Sequence, residues 1–120
     1  MLLPECQLEI MSAIWQATAD HGSAFSRDLF KYGSDHLKMR ARATLYMELQ
    51  WLRKKGFIRT ERMNDYMNRL VPLVSEAEYR VEAYKNLLSC VFRGNRVELA
   101  RLLLNDMTAE ELEQARQQIQ

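Results

Sequence analysis

Leu8, Met11, Ile14 and Trp15 recur at helical spacing, which predicts an amphipathic helix from Pro4 to about Ala17. Proline is tolerated in the first turn, where its missing N–H would have no intrahelical partner. The polar stretch "ADHGSAF" interrupts the pattern. "SRDLFKY" then offers Ser26 as N-cap of a short helix carrying Leu29 and Phe30, and "GSDH" reads as a turn. From Lys38 to Lys55 the period is helical again, with Ala41, Leu45, Leu49 and Leu52 on one face. At about 100° per residue, the opposite face carries Met39, Arg40, Ala43, Tyr46, Met47, Gln50 and Lys54. Gly56 ends this helix, and Lys54 and Lys55 lie in the last turn, where the helix macrodipole favours cations.

"FIRTER" and "NRLVPLV" flank "MNDYM", in which Asn64 and Asp65 are turn formers, so the two runs predict a β-hairpin. Pro72 places the end of the second strand at an edge or exit. Ser75 and Glu78 then have the spacing of a capping box, and Val74 and Tyr79 that of a hydrophobic staple. The same device recurs with Thr108 and Glu111 and with Met107 and Leu112. Two helices are therefore predicted, about 75–90 and 108–118. "RVELARLLL" makes a shorter one between them, set off by Gly94.

The chain has 120 residues, 48% apolar and 28% charged, the size and balance of one small soluble domain with an appendage. No apolar run is long enough to span a membrane, and "MLLPECQLEI" lacks the basic flank of a signal peptide. Cys6 and Cys90 are isolated and read as reduced thiols, which suits a cytoplasmic chain. His21 and His36 read as surface residues. No HExxH, P-loop, nucleophile elbow or CxxC is present, so no enzyme, metal site or cofactor is expected.

Charge changes the picture more. Between Lys38 and Arg62 there are 8 Lys/Arg and 2 Asp/Glu, while the whole chain nets only +1. A local excess of that size favours a polyanion, nucleic acid first. Three helices followed by a β-hairpin is the winged-helix variant of the helix-turn-helix, in which the third helix enters the major groove and the wing approaches the backbone. The third helix and the hairpin coincide with the basic segment, so topology and charge agree. The expected fold is mainly α with a small β-hairpin: a winged helix-turn-helix over 1–74, then a C-terminal helical region over 75–120. Candidate DNA contacts are Lys38, Arg40, Arg42, Ala43, Thr44, Tyr46, Met47, Gln50, Lys54, Lys55, Arg59 and Arg62, with Arg69 also on the hairpin. Arginine pairs with guanine, glutamine with adenine, and apolar side chains with the thymine methyl. Thr44 suits a phosphate near the helix start.

The ordered set of segments resembles the BlaI/MecI/CopY family of penicillinase-type repressors. "LPECQLEIMSAIW" is similar to the family's opening helix, through Leu8-Glu9, Met11 and Trp15. "ATLYMELQWLRKKGFI" is similar to its T-x-x-x-L-x-x-L-x-K-K-G run, through Thr44, Leu49, Leu52, Lys54, Lys55, Gly56 and Phe57. "LVPLVSEAEY" looks like its strand exit, and "VFRGNRVELARLLLNDMTAEELEQARQQI" its ending of small helices. The resemblance implies a cytoplasmic repressor that binds a palindromic operator in double-stranded DNA as a homodimer. It implies a dimerisation surface drawn from Tyr79, Tyr84, Leu87, Leu88, Val91, Phe92, Leu99, Leu102, Leu103 and Leu112, and release by an unidentified protein or small-molecule inducer. Three departures bear on that. Arg40, Ala41 and Arg42 replace the family's Trp-Ser-Pro lead into the recognition helix. Arg101-Leu102 falls near the position of the Asn-Phe pair cleaved in antibiotic-responsive members. The C-terminal C-x-C…C-x-C cluster of copper-responsive members is absent. The alternative is a winged-helix adaptor in which Met39, Ala43, Tyr46 and Met47 bind protein.

Overall fold

The computed structural model describes residues 1–64 and 67–119. The chain divides into two compact units, Met1–Arg80 and Val81–Gln120. Among the described residues, no helix is long and apolar enough to cross a membrane.

In the first unit, α1 (Glu5–His21) packs against α2 (Asp28–Tyr32), α4 (Arg42–Lys54) and the sheet. Its inner face is Ile10, Met11, Ala13, Ile14, Trp15 and Ala17, all buried. The helix runs one turn beyond the expected Ala17, and Gly22 stops it at φ 79°, donating to the Thr18 carbonyl. Leu29, Leu37, Leu45, Leu52, Phe57, Ile58 and Leu70 close the core around α1.

The hairpin strands β2 (Ile58–Asn64) and β3 (Met67–Pro72) pair antiparallel, from Ile58 opposite Pro72 to Asn64 opposite Met67, with an irregularity between Arg62 and Asn64. Asn64 is thus the last residue of a strand, and Asp65 lies outside the described residues. A third strand, β1 (Ala24–Phe25), joins the free edge of β3, giving the order β1-β3-β2. "ADHGSAF" therefore contains a strand as well as the interruption expected of it. Ala24 is fully buried, and the Ser26 N–H donates to the Asn68 carbonyl.

Two local expectations are corrected. The helix predicted over Lys38–Lys55 is interrupted: α3 (Asp35–Lys38) ends at Met39, Ala41 is extended at ψ 145°, and α4 starts at Arg42. Ser34, placed in a turn by sequence, caps α3 by accepting from the Leu37 N–H at 3.1 Å. Ala41 is consequently an exposed N-cap and not part of the core face, which rests on Leu45 and Leu52 with Leu49 half-buried. Ser26, in turn, does not cap α2 through its side chain. Its carbonyl accepts from Leu29, and Asp28 reaches back to the Phe25 N–H at 2.8 Å.

The exit from the sheet is pinned by two aromatics. Trp15 Nε1 donates to the Val74 carbonyl at 2.9 Å, and the Leu3 N–H donates to the Tyr79 hydroxyl at 2.9 Å. Tyr79 packs its ring on Trp15 and Phe57, with centroids 5.7 and 6.1 Å away. The Ser75–Glu78 box starts α5 (Glu76–Asn86) as expected, Ser75 Oγ accepting from the Glu78 N–H at 3.1 Å.

In the second unit, α5 runs into a single π-helical turn, Leu87–Val91, which ends in left-handed residues Arg93 and Gly94. Asn95 caps α6 (Arg96–Asp106) by accepting from the Glu98 N–H, and Thr108 and Glu111 form the reciprocal box of α7 (Ala109–Ile119). The backbone N–H of Thr108, then its hydroxyl, hold the Glu111 carboxyl below its ordinary range. A depressed carboxylate stabilises the fold above its unfolded pKa, and that contribution is lost as pH falls through the folded value. The expected result is that the Glu111 carboxyl, followed by NMR, titrates below an ordinary glutamate, and that Thr108→Ala, which removes the hydroxyl and keeps the backbone N–H, moves it only part of the way back.

Candidate nucleic-acid interface

The break between α3 and α4 decides what α4 presents. Arg42 becomes its first residue and Ala41 its N-cap, and among the described residues no side chain caps its first-turn N–H groups. An uncapped N-terminus led by an arginine suits a phosphate, because the amides point outward and the dipole is positive there. The Arg42 guanidinium lies 5.4 Å from the Phe30 ring of α2, and no carboxylate pairs with it among the described residues.

Along α4, burial of Leu45 and Leu52 turns Ala43, Met47, Gln50 and Lys54 outward, and all four are exposed. Tyr46 is also exposed, on the flank facing the sheet, and Thr44 is half-buried. Trp51, which the charge pattern does not single out, is 49% exposed and carries Lys54 Nζ 5.1 Å over its ring. A concavity between α4 and the hairpin is lined by Ser26, Arg42, Tyr46, Arg62, Asn64, Met67 and Asn68. The start of α4 and the hairpin thus border one groove. Ser26, Met67 and Asn68 enter it through tertiary pairing, and sequence signals gave no hint of them.

Several predicted contacts have partners within the chain. Arg59 pairs with Glu61 at 2.8 Å, and Arg69 reaches the same carboxylate at 3.4 Å while lying 5.9 Å from the Phe25 ring. Lys38 is exposed at the end of α3. Arg40 is half-buried ahead of α4: its Nη2 lies 3.3 Å from His36 Nε2, and its Nε is buried with no hydrogen-bond partner among the described residues. His36 Nδ1 in turn lies 3.5 Å from Glu9. Lys55 is turned toward α1, where its Nζ donates to Gln7 Oε1 at 2.6 Å.

The predicted dimerisation residues divide in the same way. Tyr79 packs inside the first unit, its ring on Trp15 and Phe57 and its hydroxyl accepting from the Leu3 N–H. Leu88 and Leu99 are the buried leucines of the second unit. Tyr84, Leu87, Val91, Leu102, Leu103 and Leu112 are exposed, and Phe92 is half-buried.

A model of the family described as "Penicillinase repressor" matches residues 3–120, nearly the whole chain. The chain belongs to the penicillinase repressor family. In its first unit, α1–α4 and the three-stranded sheet have the winged helix-turn-helix arrangement of that family, with β2–β3 as the wing. Membership makes it a winged-helix regulator of the repressor class, and members of this class are not enzymes. No individually curated protein matches the chain.

Proposed function

We propose that the protein is a homodimeric repressor that binds a palindromic operator in the cytoplasm. In this reading α4 lies in the major groove, the wing follows the backbone, and the C-terminal helices set the half-site spacing. The observation that carries it is the groove bordered by Arg42, Tyr46 and Arg62, beside the exposed ridge Ala43, Met47 and Gln50. Arginine can take guanine or phosphate, glutamine adenine, and the apolar pair thymine methyls. The exposed leucines of α6, with Leu102 60% and Leu103 51% accessible, are too apolar to be left to water and fit a two-fold partner. Repression follows from occupancy of a promoter, reversed by a protein or small-molecule inducer.

Selection of duplexes from a random library tests this reading. Enrichment of inverted half-sites one or two helical turns apart supports it, and enrichment of no sequence refutes it. A second reading, a protein-docking adaptor, draws on the exposure of Met39 (87%), Met47 (53%) and Trp51 (49%). It predicts no selected duplex at all.

Glu61 offers a separate check. Its carboxylate draws on Arg59 and Arg69 at a partly exposed site, so it adds little stability and competes with phosphate for both. Glu61→Gln is expected to tighten duplex binding about three- to tenfold at low salt, with melting changed by no more than about 0.5 kcal/mol. Weaker binding by the variant would show that the wing arginines need Glu61 to orient them.

A further inference from the structure

Gln7 is a polar residue on the packed face of α1, only 6% exposed, and both ends of its carboxamide are used. Nε2 donates to Glu48 Oε2 at 2.8 Å, and Oε1 accepts from Lys55 Nζ at 2.6 Å. The amide orientation follows from its partners, because an ammonium only donates and a carboxylate only accepts. Glu48 and Lys55 are seven residues apart, which puts them on one flank of α4, about 20° from each other around the axis. The outward ridge Ala43, Met47 and Gln50 lies about a third of a turn away. Gln7 therefore grips the recognition helix at two points along the flank that faces α1.

Apolar contacts made by Leu45 and Leu52 hold α4 on the core, but such contacts are non-directional. Hydrogen bonds have narrow distance and angle windows, so the two made by Gln7 resist rotation of α4 about its own axis. A roll of about 20° carries a side-chain tip some 6 Å from the axis through about 2 Å. That displacement exceeds the tolerance of a bidentate base contact, whereas a flexible phosphate contact follows it.

The geometry points to Gln7 as a positioning residue for base readout: the Glu48–Gln7–Lys55 bridge sets the roll of the recognition helix, and Lys55 serves it as a strut and not as a phosphate contact. The inference rests on the operator-binding reading above and adds to it how one buried amide governs discrimination. It also separates two neighbouring lysines that look alike in sequence, Lys54 over Trp51 and Lys55 on Gln7.

The test compares affinity for the duplex enriched by the wild-type chain with affinity for a scrambled duplex. Gln7→Met keeps the apolar volume and removes both bonds. It is expected to bind the selected duplex about tenfold more weakly and the scrambled duplex as before. Exchanging the groups, Gln7→Glu with Glu48→Gln, is expected to return discrimination to within about threefold of wild type, because the carboxylate at position 7 still meets Lys55 and the amide at 48 can donate to it. Lys55→Gln should leave the slope of log affinity against log salt unchanged, whereas Lys54→Gln, present in both protomers of the dimer, should reduce its magnitude by about 1.8. Should Gln7→Met fail to melt cooperatively, Lys55→Met cuts the bridge from the outer side and carries the same expectation. Equal losses on both duplexes, undiminished discrimination, or a Lys55→Gln slope reduced like that of Lys54→Gln would overturn the assignment. A wild-type chain that discriminates no duplex would overturn the operator-binding reading and the bridge with it.

Discussion

Arg42→Ala should weaken binding to the selected duplex by about 1–3 kcal/mol, roughly 5- to 150-fold, while the protein melts as the wild type does. The magnitude comes from position. Arg42 opens α4, borders the groove shared with the wing, and is held by the face of Phe30, with no carboxylate partner among the described residues. Since the side chain is exposed, its removal should cost the fold no more than about 0.5 kcal/mol. Arg40→Ala should cost less affinity, because that guanidinium already lies against His36. Neutralising both is expected to abolish operator binding with the sedimentation coefficient unchanged. Arg116→Ala, on α7 and paired with Glu113, serves as a control that should leave affinity unaltered. Electrophoretic or fluorescence titrations read all four, and an Arg42→Ala affinity within twofold of wild type would remove the residue from the interface.

Trp15→Ala should be the most damaging single substitution for stability, at about 3–5 kcal/mol. Trp15 is 7% exposed, stacks on Tyr79, and donates its indole N–H to the Val74 carbonyl 59 residues away. Truncation leaves a large cavity on α1, deprives Val74 of a donor, and loosens the point where the sheet hands over to α5. At about 4–8 °C per kcal/mol for a domain of this size, the melting temperature should fall by tens of degrees. Trp15→Phe keeps most of the ring and loses the hydrogen bond, so it should cost about 1–2 kcal/mol. Circular-dichroism melts separate the two. A Trp15→Ala cost below about 1 kcal/mol would mean that this junction does not hold the first unit together.

What sequence made legible here was what is local in sequence. The Ser75–Glu78 and Thr108–Glu111 caps each need only four consecutive residues: the second forms both bonds of its box, and in the first Ser75 Oγ accepts from the Glu78 N–H. The hairpin follows from two strand-like runs around a turn, and Gly56 stops α4 at φ 82° as its place after Lys55 suggests. The split between α3 and α4 was not legible, since Met39, Arg40 and Ala41 are all acceptable inside a helix. Nor was the close packing of α3 on α2 at Gly33, where a Cβ would come within 2.3 Å of the Leu29 carbonyl oxygen and 2.7 Å of Leu37. That close approach lets α2 and α3 fold together. β1 escaped notice because two residues carry no periodicity.

The candidate site shows the same divide. The exposed face of α4 follows from the spacing of Leu45 and Leu52, so Ala43, Tyr46, Met47 and Gln50 fall where helical geometry puts them. Charge alone did not reveal which cations are committed elsewhere. Lys55 is bound to a glutamine 48 residues away, and Arg59 and Arg69 share Glu61. Tyr79 groups by sequence with the apolar C-terminal residues that follow the wing. Its burial depends on Leu3, Trp15 and Phe57, which periodicity cannot bring to it.

The salt dependence of duplex binding tests the central claim most directly. If α4 and the wing neutralise phosphates from two protomers, log affinity should fall linearly with log salt, by about 0.9 for each phosphate and on the order of 5 to 9 in total slope. The selected duplex should stay tighter than a scrambled one throughout. No affinity for duplex DNA at low salt, or an affinity indifferent to salt, would contradict the account.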